Sequence, residues 1–163
     1  MKIDVSGLLA EEVGTTQTHL LNNEAILVDE DTSAQVSGEV TLTKLEESVL
    51  ASIAAQAHVT TSCDRCLSPA QRQLDLNIQE EYYTSPQSDP DKLPVIDHTI
   101  DLTPSLAGEI SVNLPVSVIC TDQCRGLCPA CGTNRNTNTC DCPPPPQLSN
   151  KIDIPWQPNP RKR

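Results

Sequence analysis

Eight cysteines, gathered at two places in the sequence, constrain the fold of this chain more than any other feature. Six of them fall between Cys120 and Cys142, and the other two end the motif Cys63-Asp64-Arg65-Cys66. Pairs of cysteines separated by a few residues are typical of zinc sites, in which four thiolates surround one ion. Because eight cysteines make two such sets, we expect the fold to bring the first motif close to the C-terminal segment.

Alternating apolar residues predict that the first motif lies at the tip of a β-hairpin. Every second residue is apolar from Val49 to Val59, and the same alternation returns at Leu74, Leu76, Ile78 and Tyr82, interrupted by a glutamate at position 80. A period of two is typical of half-buried strands, and here it extends too far for a helix. The stretch 36–42 alternates in the same way and predicts a third strand.

Residues 103–113 are predicted to form the one helix of the chain. Apolar residues recur here at every fourth position, which is typical of a helix face that packs on a core. Thr103 offers an N-cap, followed by Pro104 at the first helical position. Pro115 cannot continue the helix.

The sequence as a whole predicts an α+β, strand-dominated protein in three parts. Residues 1–119 are expected to form a mainly antiparallel β domain, with two short strands near its start and another short strand at 116–118. Residues 120–142 are expected to form a C-terminal four-cysteine zinc-knuckle module that packs on this domain. Residues 143–163, rich in proline and basic at the end, are predicted to be a largely disordered tail.

The spacing divides the cysteines into two candidate zinc sites, and each is expected to be structural. The first set is Cys63, Cys66, Cys120 and Cys124. The second set is Cys128, Cys131, Cys140 and Cys142. This division uses each cysteine once, but exchange of Cys120 or Cys124 with members of the other set stays open. An iron–sulfur cluster would accept the same ligands; zinc is favoured because C-x2-C-G turns are its usual geometry.

No catalytic activity and no small-molecule substrate are predicted. A catalytic zinc keeps an open coordination position, whereas thiolates suffice here to close both shells, and the three histidines are scattered. The sequence contains no glycine-rich phosphate loop and no nucleophile elbow. Thiol redox chemistry or metal buffering is a less favoured alternative, because neither C-x2-C pair is predicted at a strand-to-helix junction.

The chain is expected to be cytoplasmic, with reduced thiols and no membrane contact. The acidic Asp4 stands where the apolar part of a secretory signal would run. No apolar run approaches the roughly 18 residues that a membrane helix needs. Reduced thiols favour metal ligation, and a secreted disulfide scaffold is the alternative to this interpretation.

The net charge of −11 is unevenly distributed along the chain. Residues 1–119 contain 19 acidic and 5 basic side chains, a net charge of −14. Residues 120–163 contain 3 acidic and 6 basic side chains, a net charge of +3. An acidic body with a basic end is expected of a protein that meets a polyanion at one end only, although a zinc ion held by four thiolates would reduce the positive charge there.

Several short motifs follow one another in a specific order across most of residues 36–142. They read Cys63-x-Arg65-Cys66-Leu67, Ile100-Asp101-Leu102, Glu109-Ile110, Leu114-Pro115, Cys120-x3-Cys124-x-Gly126-Leu127-Cys128-Pro129-x-Cys131-Gly132-x-Asn134 and Cys140-x-Cys142. In order and spacing these motifs resemble the YceD family, whose members are called large ribosomal RNA subunit accumulation proteins. Arg135 departs from the family pattern, which tends to have an aliphatic residue there, and so does the proline-rich tail.

The resemblance implies a cytosolic, non-enzymatic factor required for the accumulation of 23S ribosomal RNA, and hence for large-subunit assembly. The implied partner is 23S rRNA or a pre-50S ribosomal particle, reached directly or through a basic ribosomal protein or an assembly factor. The predicted sheet lacks clustered basic residues and stacking aromatics, so direct RNA contact is expected elsewhere. The candidate contacts are Arg65, Arg125, Arg135, Arg161, Lys162 and Arg163. The alternative is an acidic, zinc-stabilised adaptor that binds a basic protein without touching RNA.

Overall fold

Long strands dominate the computed structural model, which describes residues 1–85 and 92–143. Along the chain the elements are β1 (Lys2–Asp4), α1 (Ser6–Ala10), β2 (Thr16–Leu27), β3 (Ser33–Lys44), β4 (Ser48–Ser62), β5 (Pro69–Tyr83), β6 (Leu93–Pro94), β7 (Thr99–Asp101) and α2 (Thr103–Asn113). The prediction of a strand-dominated fold with an antiparallel sheet is confirmed, but the described residues contain two helices rather than the one predicted. The predicted tail, apart from its first residue Pro143, lies outside the described residues.

Five strands form the main sheet, in the order β2-β3-β4-β5-β6. The neighbours from β2 to β5 are antiparallel, and only the two-residue β6 joins in parallel, beside the end of β5. Strands β4 and β5 pair over their whole length, from Ser48 opposite Tyr83 to Ser62 opposite Pro69. This pairing leaves residues 63–68 as the tip of the longest hairpin in the sheet, as the alternation predicted. Strands β1 and β7 form a separate antiparallel pair.

One face of the main sheet carries the hydrophobic core. The apolar positions of β4 that share one parity are buried, and both helices pack on the same side through Leu8, Leu106 and Ile110. The opposite face presents mainly Ser, Thr, Asn and Gln, in cross-strand pairs such as Thr41 with Ser52. Burial of alternate residues therefore explains why a period of two predicted these strands.

Helix α2 has the predicted bounds, but its first turn is capped differently from the prediction. Thr103 lies inside the helix and Leu102 occupies the N-cap position. The carboxylate of Asp101 accepts the backbone N–H of Thr103 at 2.9 Å. The prediction that Thr103 caps the helix is therefore wrong. The carboxylate of Asp101, two positions earlier, accepts the free N–H of the first turn instead.

The prediction of two short strands near the start of the chain holds for β1 but is wrong for β2. Helix α1 follows the short β1, and β2 then runs for 12 residues. A bulge between Leu21 and Glu24, with Asn23 at a φ of 60°, shifts the register of β2. The shift breaks the alternation of apolar residues, so the sequence does not show one continuous strand.

Neither helix is long or apolar enough to cross a membrane, as far as the described residues go.

Candidate metal centres

Four cysteine sulfurs of the first set meet at the tip of the β4–β5 hairpin. Cys63 and Cys66 lie in the turn, and Cys120 and Cys124 reach them from the C-terminal segment. All four Sγ atoms lie within 4.8 Å of one another, with 3.8 Å between Cys63 and Cys124 and 3.6 Å between Cys66 and Cys120. Zn–S bonds of about 2.3 Å in a tetrahedron place the sulfurs about 3.8 Å apart. The geometry of the first set therefore fits one tetrahedral ion.

The second set gathers beside the first in the C-terminal segment. The sulfurs of Cys128, Cys131, Cys140 and Cys142 also lie within 4.8 Å of one another. A short antiparallel bridge between Leu127 and Asn134 brackets the turn that carries its first two cysteines. The second set is more open than the first, because Cys131 is exposed whereas Cys63, Cys66 and Cys124 are buried.

Both sets are built on the same tight turn. The residue after the second cysteine donates its N–H to the carbonyl oxygen of the first, from Leu67 to Cys63 at 2.9 Å and from Gly132 to Cys128 at 2.8 Å. Leu67 and Gly132 both have positive φ angles, of 60° and 73°. The turn also directs backbone N–H groups at the first sulfur of each pair, which favours the thiolate that a metal requires.

The thiols of the first set differ in their pKa values. Burial opposes ionisation of Cys63, but backbone N–H donors from Cys120, Arg65 and Cys66 outweigh it and lower the pKa of Cys63 to about 6. Cys120, hydrogen-bonded to the sulfurs of Cys124 and Cys66, has its pKa raised to about 12. One thiol is thus readily ionised while another retains its proton.

The second set shows the same separation. Hydrogen bonds from the side chain and backbone of Thr133 lower the pKa of Cys131 to about 6. The neighbouring Cys131 sulfur raises the pKa of Cys142 to about 12. Without a cation, four adjacent thiols cannot all ionise. A divalent ion would compensate the negative charge in either set, so the donor chemistry suits Zn²⁺.

The arrangement of the sulfurs favours a single ion in each set over the alternatives. All eight cysteines are free thiols, so no disulfide joins them. The cysteines of an iron–sulfur cluster bind several irons on different sides of the cluster, which separates their sulfurs more widely than the 4.8 Å limit found here. Each set instead surrounds one central point with four ligands.

The segment that leads into Cys120 is held by the hairpin tip, and the strand expected at 116–118 is not formed. Val118 donates its N–H to the carboxylate of Asp64 at 2.6 Å and accepts the N–H of Asp64 at 2.9 Å. Arg72 of β5 donates to the carbonyl of Ile119 at 2.9 Å. Val118 is buried but Val116 is fully exposed. The backbone of Val118 is therefore paired with the turn at Asp64 and not with a neighbouring strand.

Further contacts fix the loop between the two sets. Leu127 donates its N–H to the carbonyl of Arg65 at 2.8 Å, and the Arg65 guanidinium donates to the carbonyl of Cys124 at 3.3 Å. A Cβ atom at Gly126, where φ is 69°, would lie 2.9 Å from the same Arg65 carbonyl oxygen. Only a glycine lets the two backbones approach this closely.

Asparagines complete the attachment. The sequence analysis named Asn134 only as part of the family motif and overlooked Asn136. Asn134 donates to the Ser68 hydroxyl at 3.1 Å, and Asn136 donates to the Cys124 sulfur at 3.4 Å. The side chain of Asn136 also accepts the N–H of Arg125 at 2.8 Å. The alternating asparagines at 134, 136 and 138 are the sequence signal for this role, because their short amides readily bond nearby backbone.

The predicted RNA-contact residues occupy different surroundings. Arg65 lies at the hairpin tip and is engaged with Cys124. Arg125 and Arg135 together line an open cleft of about 290 Å³ beside the second set. Arg161, Lys162 and Arg163 lie outside the described residues.

A family model described as "Large ribosomal RNA subunit accumulation protein YceD" matches residues 51–157 of the chain. The matched range contains all eight cysteines and all but the first three residues of the hairpin that presents the first pair.

Mycobacterial proteins of uncharacterized function are among the relatives. One from Mycobacterium tuberculosis is 30% identical over 113 residues, covering 65% of this chain and 54% of that protein. One from Mycobacterium leprae is 26% identical over 107 residues, covering 62% and 49%. The chain thus spans about half the length of these relatives.

A plant protein also matches. The large ribosomal RNA subunit accumulation protein YCED homolog 1, chloroplastic, of Zea mays is 35% identical over 52 residues, covering 31% of this chain and 18% of that protein. No solved structure matches the chain.

Proposed function

The chain belongs to the YceD family of large ribosomal RNA subunit accumulation proteins, and on this basis we propose that it is a non-enzymatic factor for accumulation of 23S rRNA. In this function the protein acts in the cytoplasm during assembly of the large ribosomal subunit. Its partner is 23S rRNA or a pre-50S particle, contacted directly or through a basic ribosomal protein or an assembly factor.

The observation that carries this proposal is the match of the family model over residues 51–157. That range includes nearly all of the β4–β5 hairpin, both sulfur sets and the contacts that join them. The matched region is therefore the part of the chain that builds the two sulfur sets.

Each sulfur set is proposed to hold one structural Zn²⁺. Four thiolates complete a tetrahedral shell and leave no position for a substrate or a reactive water. Three cysteines of the first set also pack with Ala70 and Val118 in a small apolar cluster. An ion at this place would link the C-terminal module to the sheet and stabilise both.

The proposal is tested in a strain that lacks the gene. We expect lower 23S rRNA relative to 16S rRNA, and restoration of the ratio by a plasmid copy of the protein. In wild-type lysates the protein is expected to co-sediment with pre-50S particles on a sucrose gradient. An unchanged rRNA ratio in the deletion strain would contradict the proposal.

A second candidate is an adaptor that binds a basic protein and never contacts RNA. The observation in its favour is the net charge of −14 over residues 1–119, which complements a basic surface. Capture of a protein that survives nuclease treatment and is released by salt would favour this candidate. Loss of all captured material after nuclease treatment would favour direct RNA contact.

A further inference from the structure

Four arginines lie within the described residues, and they divide into two pairs with different roles. Arg65 and Arg72 donate to the carbonyls of Cys124 and Ile119, so they hold the cysteine module on the hairpin. The guanidinium groups of the other two, Arg125 and Arg135, have no hydrogen-bond or ion-pair partner in the part of the chain that the structure describes. The second pair is therefore available to a ligand.

A small hairpin places the second pair together. Arg135 donates its backbone N–H to the carbonyl of Gly126 at 3.0 Å, one step from the bridge between Leu127 and Asn134. Arg125, the neighbour of Gly126, is fixed by the bond from its N–H to Asn136. Two exposed guanidiniums are thus presented from adjacent backbone segments whose geometry is set by hydrogen bonds.

The side chains of this pair line one cleft with further polar groups. The cleft is open and has a volume of about 290 Å³. It is lined by these two arginines, by Asn138 and Thr139, and by three cysteines of the second set, Cys128, Cys140 and Cys142. The acidic residues of the module, Asp122 and Asp141, do not line it. Guanidinium, amide and hydroxyl donors around an open concavity suit an anion with several oxygens, above all a phosphate.

We propose that this cleft binds a backbone phosphate of ribosomal RNA, with Arg125 and Arg135 as its principal donors. This inference rests on the proposed function and adds the contact through which RNA is held. Arginine is suited to the role because its planar fork bonds two phosphate oxygens at once. No base is read in this contact, so it would hold RNA without regard to sequence.

The nearby sulfur set provides an alternative role for the same arginines. Four thiolates around Zn²⁺ carry a net charge of −2, and cations beside them would stabilise the filled site. If the arginines served only this purpose, their removal would weaken zinc binding and leave RNA affinity unchanged. The two roles therefore differ in a measurable way.

The test compares the double variant Arg125→Gln, Arg135→Gln with the charge-matched double variant Lys2→Gln, Lys92→Gln. Lys2 lies in β1 and Lys92 precedes β6, at the end of β5 opposite the cysteines. The probe is a fluorescein-labelled 12-nucleotide single-stranded RNA, titrated at several salt concentrations with the full chain. Zinc content is measured for every sample, so that only zinc-loaded proteins with equal content are compared.

We expect the arginine variant to bind the RNA at least about tenfold more weakly than the wild type. Its dependence of log affinity on log salt should become shallower by about 0.7, since the cleft holds one phosphate and each phosphate contact on a single strand contributes about 0.7. The lysine control should keep the wild-type affinity and slope.

Equal RNA affinity in the arginine variant and the wild type would overturn the proposal, whether or not zinc binding weakens. Absence of any RNA binding by the wild-type chain would also overturn it. In that case a fall of 23S rRNA in the deletion strain would leave the proposed function standing, acting through a protein partner. A normal rRNA ratio together with tight, arginine-dependent RNA binding would contradict the proposed function alone.

Discussion

Leu67 and Gly132 occupy equivalent positions in two copies of one turn, although their side chains differ. Both have positive φ and donate to the carbonyl of the first cysteine in their pair. For a residue with a Cβ atom, this conformation costs about 1 kcal/mol or more relative to glycine. The Leu67 side chain is 67% exposed, so its burial offsets little of that strain.

We therefore predict that Leu67→Gly does not reduce the stability of the zinc-loaded protein. Relief of strain should offset the greater freedom that glycine gives the unfolded chain, for a net gain between zero and about 1 kcal/mol. Chemical denaturation in excess zinc provides the measurement. A loss of 1 kcal/mol or more would mean that the leucine side chain makes a stabilising contact that its exposure does not suggest.

The reverse change at the equivalent position serves as the matched control. Apart from its two chain neighbours, no described residue places a heavy atom within 4 Å of a Cβ on Gly132, so Gly132→Ala adds backbone strain without a clash. We expect a destabilisation of about 1 kcal/mol. The two substitutions together separate the cost of positive φ from the packing of the side chain.

At the scale of elements, the hairpin tip and the segment before Cys120 are joined chiefly through Asp64. Its carboxylate accepts the N–H of Val118 at 2.6 Å, and Asp64→Ala would leave that donor without its charged partner. We predict a loss of about 1–2 kcal/mol in the free energy of unfolding. Chelator competition should also show weaker metal binding at the first set than in the wild type.

Asp122→Ala is the control for this prediction. Asp122 is exposed, lies between Cys120 and Cys124 and has no side-chain partner among the described residues. Its removal should change neither stability nor metal affinity. Equal effects of the two substitutions would show that charge near the first set matters and the bond to Val118 does not.

The carboxylate of Asp101 accepts a hydrogen bond from the first turn of helix α2, and its ionisation should make stability depend on pH. Hydrogen bonds from the side chain and backbone of Thr103 lower the pKa of Asp101 from 3.8 to about 2. Because the folded pKa is lower than the unfolded one, the stabilisation is present above about pH 4. It is lost as the pH falls towards 2.

The measurement compares acid denaturation of the wild type with that of Asp101→Asn. The advantage of the wild type should be constant near neutral pH and shrink between pH 4 and 2. Glu46→Gln, in the exposed turn before β4, provides a charge-matched control, because within the described residues its carboxylate makes no such contact to a helix. A difference between wild type and Asp101→Asn that stays constant down to pH 2 would contradict the assignment.

The elements differ in how well the sequence predicts them, and the reason is how each is buried. Strands β3, β4 and β5 bury alternate residues on one face, so their period is visible in the sequence. The bulge in β2 shifts that period within one strand. Helix α1 has five residues, too few to establish a helical period.

For the whole molecule, the division of the cysteines into two sets predicts two steps of metal loss. The first set is buried at the hairpin tip, whereas the second contains the exposed Cys131. We predict two zinc ions per chain, with the second set releasing its ion first when a chelator is added. Metal analysis and the kinetics of chelation with a colorimetric indicator provide the measurements.

Single substitutions assign the two steps. Cys131→Ser should remove the fast phase and leave one zinc, and Cys66→Ser should remove the slow phase. We expect loss of the ion in the first set to lower the melting temperature more than loss of the ion in the second set, because the first ion joins the module to the sheet. Rapid reaction of all eight thiols with a thiol reagent before chelation would instead favour the redox or metal-buffering alternative.

The sequence predicts more of the sulfur geometry than of its surroundings. Cysteine spacing and strand parity together lead to the same two groups of four that the structure brings together. The roles of Asp64, Arg72 and Asn136 depend on contacts between distant parts of the chain. The same holds for the different roles of Arg65 and Arg125. Both arginines lie next to a cysteine in the sequence, but only the guanidinium of Arg65 has a carbonyl oxygen within hydrogen-bond distance among the described residues.

The first sulfur set joins residues that are far apart in the chain, with 54 positions between Cys66 and Cys120 and 61 between Cys63 and Cys124. During synthesis the hairpin tip therefore emerges well before its remaining ligands, and a chain made at about 5–20 residues per second waits several seconds for them. Until then two thiols at the tip have no partners for a tetrahedral ion. Binding of an ion by the first set would thus mark the moment at which strands β5 to β7, helix α2 and the segment beyond them have all been translated.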